Sequence, residues 1–145
     1  MAYLSPFLLI FVLLASSGNR MVETGIPDGK LAPCPATPNC VSSQSEDKRH
    51  ALEPIRYEGK MEEARQRLLD VVAAQKRARI VSSKGNYIHA EFTSALFRFV
   101  DDVDFLIDDA AKVIHVRSAS RVGYSDLGVN RRRVEELRSR FEKTK

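Results

Sequence analysis

Between residues 87 and 117 the chain spaces acids, imidazoles and an arginine two apart, the interval at which strand side chains share one face. Tyr87, His89, Glu91 and Thr93 alternate with Ile88, Ala90 and Phe92; Asp102 and Asp104 alternate with Val103 and Phe105; His115 and Arg117 alternate with Ile114 and Val116. Carried on strands, His89, Glu91, Asp102, Asp104, His115 and Arg117 line one surface. Such a set offers carboxylates to orient or accept protons, imidazoles to exchange them and a fixed cation, which a catalytic or anion-binding site uses. A sheet with one wet face produces the same alternation from plain cross-strand ion pairs.

A second chemistry sits in RSASRVGYSDLGVNRRRVEEL, residues 117–137, where a strand ends in a Gly- and Ser-rich turn that feeds a helix start among five arginines. Unpaired amides at a helix N-terminus favour anions. Arg117, Arg121 and Arg131, with Ser118 and Ser120 nearby, are candidates to hold phosphate, sulfate or carboxylate. The competing reading has Ser125 or Asp126 capping the helix while the arginines pair with Asp101, Asp102, Glu135 and Glu136. Asn130 lies four residues before Val134 on the apolar stripe, where a buried amide must find partners, so it is expected to brace the preceding loop.

Cys34 and Cys40 stand in CPATPNC, a spacing that in an exported chain favours a short-loop disulfide. Free thiols, or a nucleophilic cysteine with a histidine base, are the alternatives. His50, His89 and His115 do not stand at zinc-ligand spacing from the cysteines, so no metal is expected. There is no GxSxG elbow, P-loop or dinucleotide-binding glycine pattern, and no cofactor is expected.

These residues must be positioned by one modest domain, since the chain has 145 residues, 43% apolar and 29% charged. Phe7 to Ala15 reads FLLIFVLLA, long enough for a signal-peptide core and short of a bilayer span, so residues 1–17 are expected to be an export signal or an N-terminal membrane anchor. Residues 18–53, rich in Pro, Ser, Asn and Gly, read as an irregular arm, and 54–145 as a single α+β domain. Strands are expected at Ile55–Tyr57, Arg79–Ser83, Tyr87–Ser94, Val103–Ile107 and Val113–Ser118. Helices are expected from about Met61 to Gln75 and from Leu127 or Asn130 to Glu142, with Arg131/Glu135 and Arg132/Glu136 as exposed pairs. The fold class is therefore α+β: a small antiparallel sheet of four to five strands with two helices packed on one face, in the order β-α-β-β-β-β-α. A turn at DDAA sets Ile107 opposite Lys112, Asp104 opposite His115 and Asp102 opposite Arg117.

Taken together, CPATPNCVSSQ, YIHAE, FVDDVDF and VIHVRSASRVGYSDLGVNRRRVEEL resemble the family called domain of unknown function 1499 (DUF1499), from about Cys34 to the C-terminus. The resemblance implies a small protein, often with an export or lipoprotein leader, and carries no established activity. Its characteristic positions fall here on Cys34, Pro35, Pro38, Asn39, Cys40, Glu91, Asp101, Asp102, Arg117, Ser118, Ser120, Arg121, Gly123, Asp126, Gly128, Asn130 and Arg133. It implies that the polar strand face and the arginine turn belong to one site.

The net charge of +4, without an aromatic-basic surface, argues against nucleic acid. The leading expectation is a non-catalytic binding module, exported to a periplasm, cell envelope or comparable lumen, that takes a small anionic or phosphate-bearing ligand. Its candidate contacts are Arg117, Ser118, Ser120, Arg121, Asn130, Arg131, Asp102, Glu91 and His115. A hydrolase with His115 or His89 as base, and a structural partner in an envelope protein assembly, are the alternatives. Membrane contact is expected only through the N-terminal segment, if uncleaved.

Overall fold

The apolar members of each alternating segment need a common dry layer, and two helices over one face of an antiparallel sheet supply it. The computed structural model describes residues 26–144. Its strands are β1 (Cys40–Ser42), β2 (Ile55–Arg56), β3 (Ala78–Lys84), β4 (Tyr87–Thr93), β5 (Val100–Asp108) and β6 (Val113–Ser120), and its helices are α1 (Met61–Ala73) and α2 (Val129–Lys143). From β3 to β6 the sheet is a meander. The outer edge of β6 carries both β1 and β2, with Val41 opposite Ser118 and Ile55 opposite Ile114. Leu68 and Val72 of α1 and Val134, Leu137 and Phe141 of α2 pack onto Ile88, Ala90, Val103, Phe105 and Val116 of the sheet. Both helices thus cover the same face, as expected. Fully burying a side chain such as Phe105 contributes about 2–3 kcal/mol.

The sheet has six strands rather than four to five, in the order β-β-α-β-β-β-β-α. The additional strand, β1, lies inside the segment read as irregular. Its three residues are all buried, so neither alternation nor length marks them as a strand. Residues 109–112 form the turn between β5 and β6, closed by Lys112 at φ 54° and by Asp108 Oδ1 accepting the Ala111 N–H at 3.1 Å. Ile107 therefore opposes Ile114, Asp104 opposes Arg117 and Asp102 opposes Ala119, in place of the pairs expected. This shift of two residues is one full period of the pleat, so each side chain keeps its face and changes its partner.

Cys34 and Cys40 form the disulfide, which closes a short loop immediately before β1. Upstream of it, Ile26 and Leu31 pack on Leu106 with Tyr87 alongside, covering part of the sheet face that the helices leave open. The expected export signal or anchor at 1–17 lies outside the described residues. Among the described residues no helix is long and apolar enough to cross a membrane.

Candidate functional site

Cross-strand pairing puts Glu91 directly opposite Asp102 and His89 opposite Asp104 on the open sheet face. Facing carboxylates repel unless cations intervene, and three arginines do. Arg79 donates to Glu91 at 2.6 Å; Arg121 bridges Glu91 at 2.5 Å and Asp102 at 2.7 Å; Arg117 Nη1 stands 3.6 Å from Asp104. His89 completes the lattice, with Nδ1 2.8 Å from Asp104 and Nε2 3.2 Å from Asp102. Tyr87 donates to the same Asp104 at 2.7 Å, and burial followed by that bond raises its phenol well above the usual range. His89, Glu91 and Asp102 bring ligand atoms within 4.8 Å of one another, but the Arg121 guanidinium already supplies the positive charge a metal would bring there. His115 shares the face and is held by Ser43, Oγ to Nδ1 3.3 Å.

Three arginines against three carboxylates leave this lattice without net formal charge; Arg79 and Arg121 are hydrogen-bonded to its acids, whereas the buried Arg117 Nε has no hydrogen-bond partner among the described residues. Hydrogen bonds from Arg79 and then Arg121 hold Glu91 at about 2, against an ordinary value of 4.5. A carboxylate whose pKa is depressed by folding contributes stability that is present above the ordinary value and lost as pH falls toward the folded one. Urea denaturation across pH should therefore show stability falling between pH 4.5 and about 2. Glu91→Gln should flatten that slope; an unchanged slope would mean the lattice does not hold Glu91.

Beneath the β6–α2 loop lies a second polar network, and this one is buried. Asn130 donates to Asn39 O at 3.2 Å, Ser120 Oγ at 2.9 Å and Asp126 Oδ2 at 2.7 Å. Its Oδ1 accepts from Ser118 at 2.6 Å and from Arg133 at 2.8 Å. Arg133 continues to Asp101 at 2.5 Å and lies over the Phe92 ring. Asp126 also accepts the Gly128 and Asn130 amides at 2.9 Å, occupying the helix N-terminus that was a candidate anion site. Most of the residues that the family resemblance singled out thus serve to pin one loop.

Arg131 is not brought to Arg117 and Arg121. It donates to the carbonyls of Ala51 and Arg49, and Glu135 and Glu136 pair with Arg138 and Arg140 rather than with Arg131 and Arg132. Arg132 instead bonds the Leu127 carbonyl at 2.9 Å and faces a cleft of about 540 Å³ between α2 and the α1–β3 turn. Lys76, Arg77, Arg132, Arg133 and Arg140 line this cleft, with Glu136 its one acid. Arg77 holds a φ of 56° there, fixed by its Nε–H donating to Thr93 O and by its own carbonyl accepting the Thr93 N–H. Arg133 and Arg140 are ion-paired; Lys76, Arg77 and Arg132 have no carboxylate partner among the described residues. Sequence reading missed this convergence, since Lys76 and Arg77 lie far from the RRR run along the chain.

A six-stranded antiparallel sheet backed on one face by two helices, with a polar network pinning the last strand-to-helix loop, defines a small α+β module. Its sequence matches the family described as a protein of unknown function (DUF1499) over residues 30–141, and the chain belongs to that family. No curated protein and no solved structure matches the chain.

Proposed function

We propose that the protein is a non-catalytic binding module of an exported or envelope compartment, holding a phosphate-bearing or other small anionic group in the cleft between the α1–β3 turn and α2. The observation that carries this reading is the convergence of Lys76, Arg77 and Arg132 without a carboxylate partner. Guanidinium forks and an ammonium gathered in a recess suit phosphate oxygens by charge and hydrogen-bond geometry. Arg121, by contrast, would have to release Glu91 and Asp102 to take a ligand. The disulfide supports a compartment that allows oxidised cysteines.

The hydrolase reading has less behind it. Both ring nitrogens of His89 face carboxylates, His115 bonds Ser43, and both cysteines are consumed in the disulfide. A general base needs a free lone pair within reach of substrate.

Thermal unfolding against inorganic phosphate, pyrophosphate, glycerol phosphate and citrate, with glucose as control, tests the proposal. A ligand at a hundredfold excess over its Kd adds about 2.7 kcal/mol, a readily measured rise in Tm. The rise should vanish in Lys76→Gln/Arg132→Gln and persist in Arg121→Gln. Loss in Arg121→Gln with retention in the double variant would move the site to the sheet face and sink the cleft.

A further inference from the structure

We infer that the cleft and the two loops beside it form a tip that docks on an anionic bilayer surface, an inference that rests on the phosphate-binding role proposed for the cleft. Residues 94–99 and 121–129 meet at one end of the sheet and expose Leu96, Phe97, Phe99, Val122, Tyr124, Leu127 and Val129; Phe97 is 68% and Leu127 84% exposed. Single exposed apolar residues are ordinary, but a contiguous group on two adjoining loops marks an interaction surface. These loops are held in place. Ser94 and Phe99 exchange backbone N–H to O at 2.8 Å and N–H to Oγ at 2.9 Å, Phe97 stacks on Phe99 at 5.5 Å, and the Asn130 network anchors the other loop. Leu127 takes φ 53°, a conformation unfavourable for a side chain, in the position where it protrudes most.

Charge decides the occupant. The hollow, about 560 Å³, is lined by Phe97, Phe99, Val122 and Leu127 together with two acids, Asp101, which is paired with Arg133, and Asp126, which accepts from the Gly128 and Asn130 amides; it shares Val129 with the basic cleft. Arg98, exposed, stands between Phe97 and Phe99 in the chain, and the basic cleft adjoins the hollow at Val129, so cations accompany the apolar tip. Aromatic and aliphatic tips backed by Lys and Arg match the boundary between acyl chains and anionic headgroups, where the cations meet the phosphates. The apolar side chains protrude rather than enclose, so a bilayer covers them together where one acyl chain would leave most in water.

The chain contains no tryptophan, so Phe97→Trp in the full chain is a local reporter that an N-terminal tether would not mimic. Val81→Trp, at an exposed position on β3, is the control. On phosphatidylcholine vesicles containing phosphatidylglycerol, the Phe97→Trp emission should shift to the blue and be quenched by brominated acyl chains, while Val81→Trp stays unchanged. Apparent affinity should fall about tenfold or more on pure phosphatidylcholine, and likewise when Lys76→Gln/Arg132→Gln is added. An unshifted Phe97→Trp reporter, in a protein whose Tm glycerol phosphate still raises, would overturn the docking tip and leave the cleft reading intact. An equal response on neutral vesicles would overturn the anionic surface. If neither vesicles nor glycerol phosphate act, both readings fall.

Discussion

Arg133→Met will lower stability by about 3–5 kcal/mol, a fall in Tm of about 10–20 °C, because it strands the Asp101 carboxylate in the interior. Asp101 is buried and receives the Arg133 guanidinium at 2.5 Å. Methionine matches the length of the arginine stem and can still lie on Phe92, so the loss isolates charge and hydrogen bonding from packing. Removing one partner of a buried pair costs far more than removing both, which gives the prediction an internal check. Chemical denaturation should find Arg133→Met/Asp101→Asn more stable than Arg133→Met alone. A cost under about 1 kcal/mol for the single variant would place the pair in the class of surface salt bridges and remove it as the loop's anchor.

Asn130→Leu should cost about 3 kcal/mol, since it keeps the volume and removes five hydrogen bonds from a fully buried position. Among the groups left behind, the fully buried Ser118 hydroxyl has no other acceptor. An unmade hydrogen bond inside a protein carries the desolvation penalty of the orphaned group, and here several are orphaned together. The effect should also be local. Hydrogen exchange in residues 121–128 should accelerate in Asn130→Leu by more than in α1 or β3, because that loop hangs on the Asn39–Asn130–Asp126 chain. Uniform acceleration across the protein would mean that Asn130 supports the core and not the loop.

The core of this fold was legible because β4, β5 and β6 each alternate apolar and polar residues with few interruptions. Periodicity assigns faces and is blind to a register change of two, so Asp104 acquired Arg117 where His115 was expected. Asp101 lies before the strand expected at Val103–Ile107 and was legible only as an arginine partner; the structure pairs it with Arg133 and extends β5 back through it to Val100. His89, Glu91, Asp102, Asp104 and Arg117 of the ionic lattice were legible from spacing, but Arg79 and the closure were not, since Arg121 reaches Glu91 across 30 positions of chain. Asn130 was legible as a polar residue on an apolar stripe, and the structure gives it the partners that this position demands. The basic cleft was hidden because its cations come from the α1–β3 turn and from α2, which only the packing of α1 and α2 brings together. A signal for the apolar tip did exist: LFRF and VGYSDLGV put large apolar residues into turns, where a core has no use for them.

Site-resolved NMR of backbone amides during titration with glycerol phosphate tests the central claim most directly, because it separates the two groups of arginines in one experiment. Saturable shifts at Lys76, Arg77 and Arg132, with little change at Arg117 and Arg121, are the result predicted by three cations without carboxylates facing one cleft. Shifts gathered at Glu91, Arg117 and Arg121, or no saturable shifts at all, would contradict it.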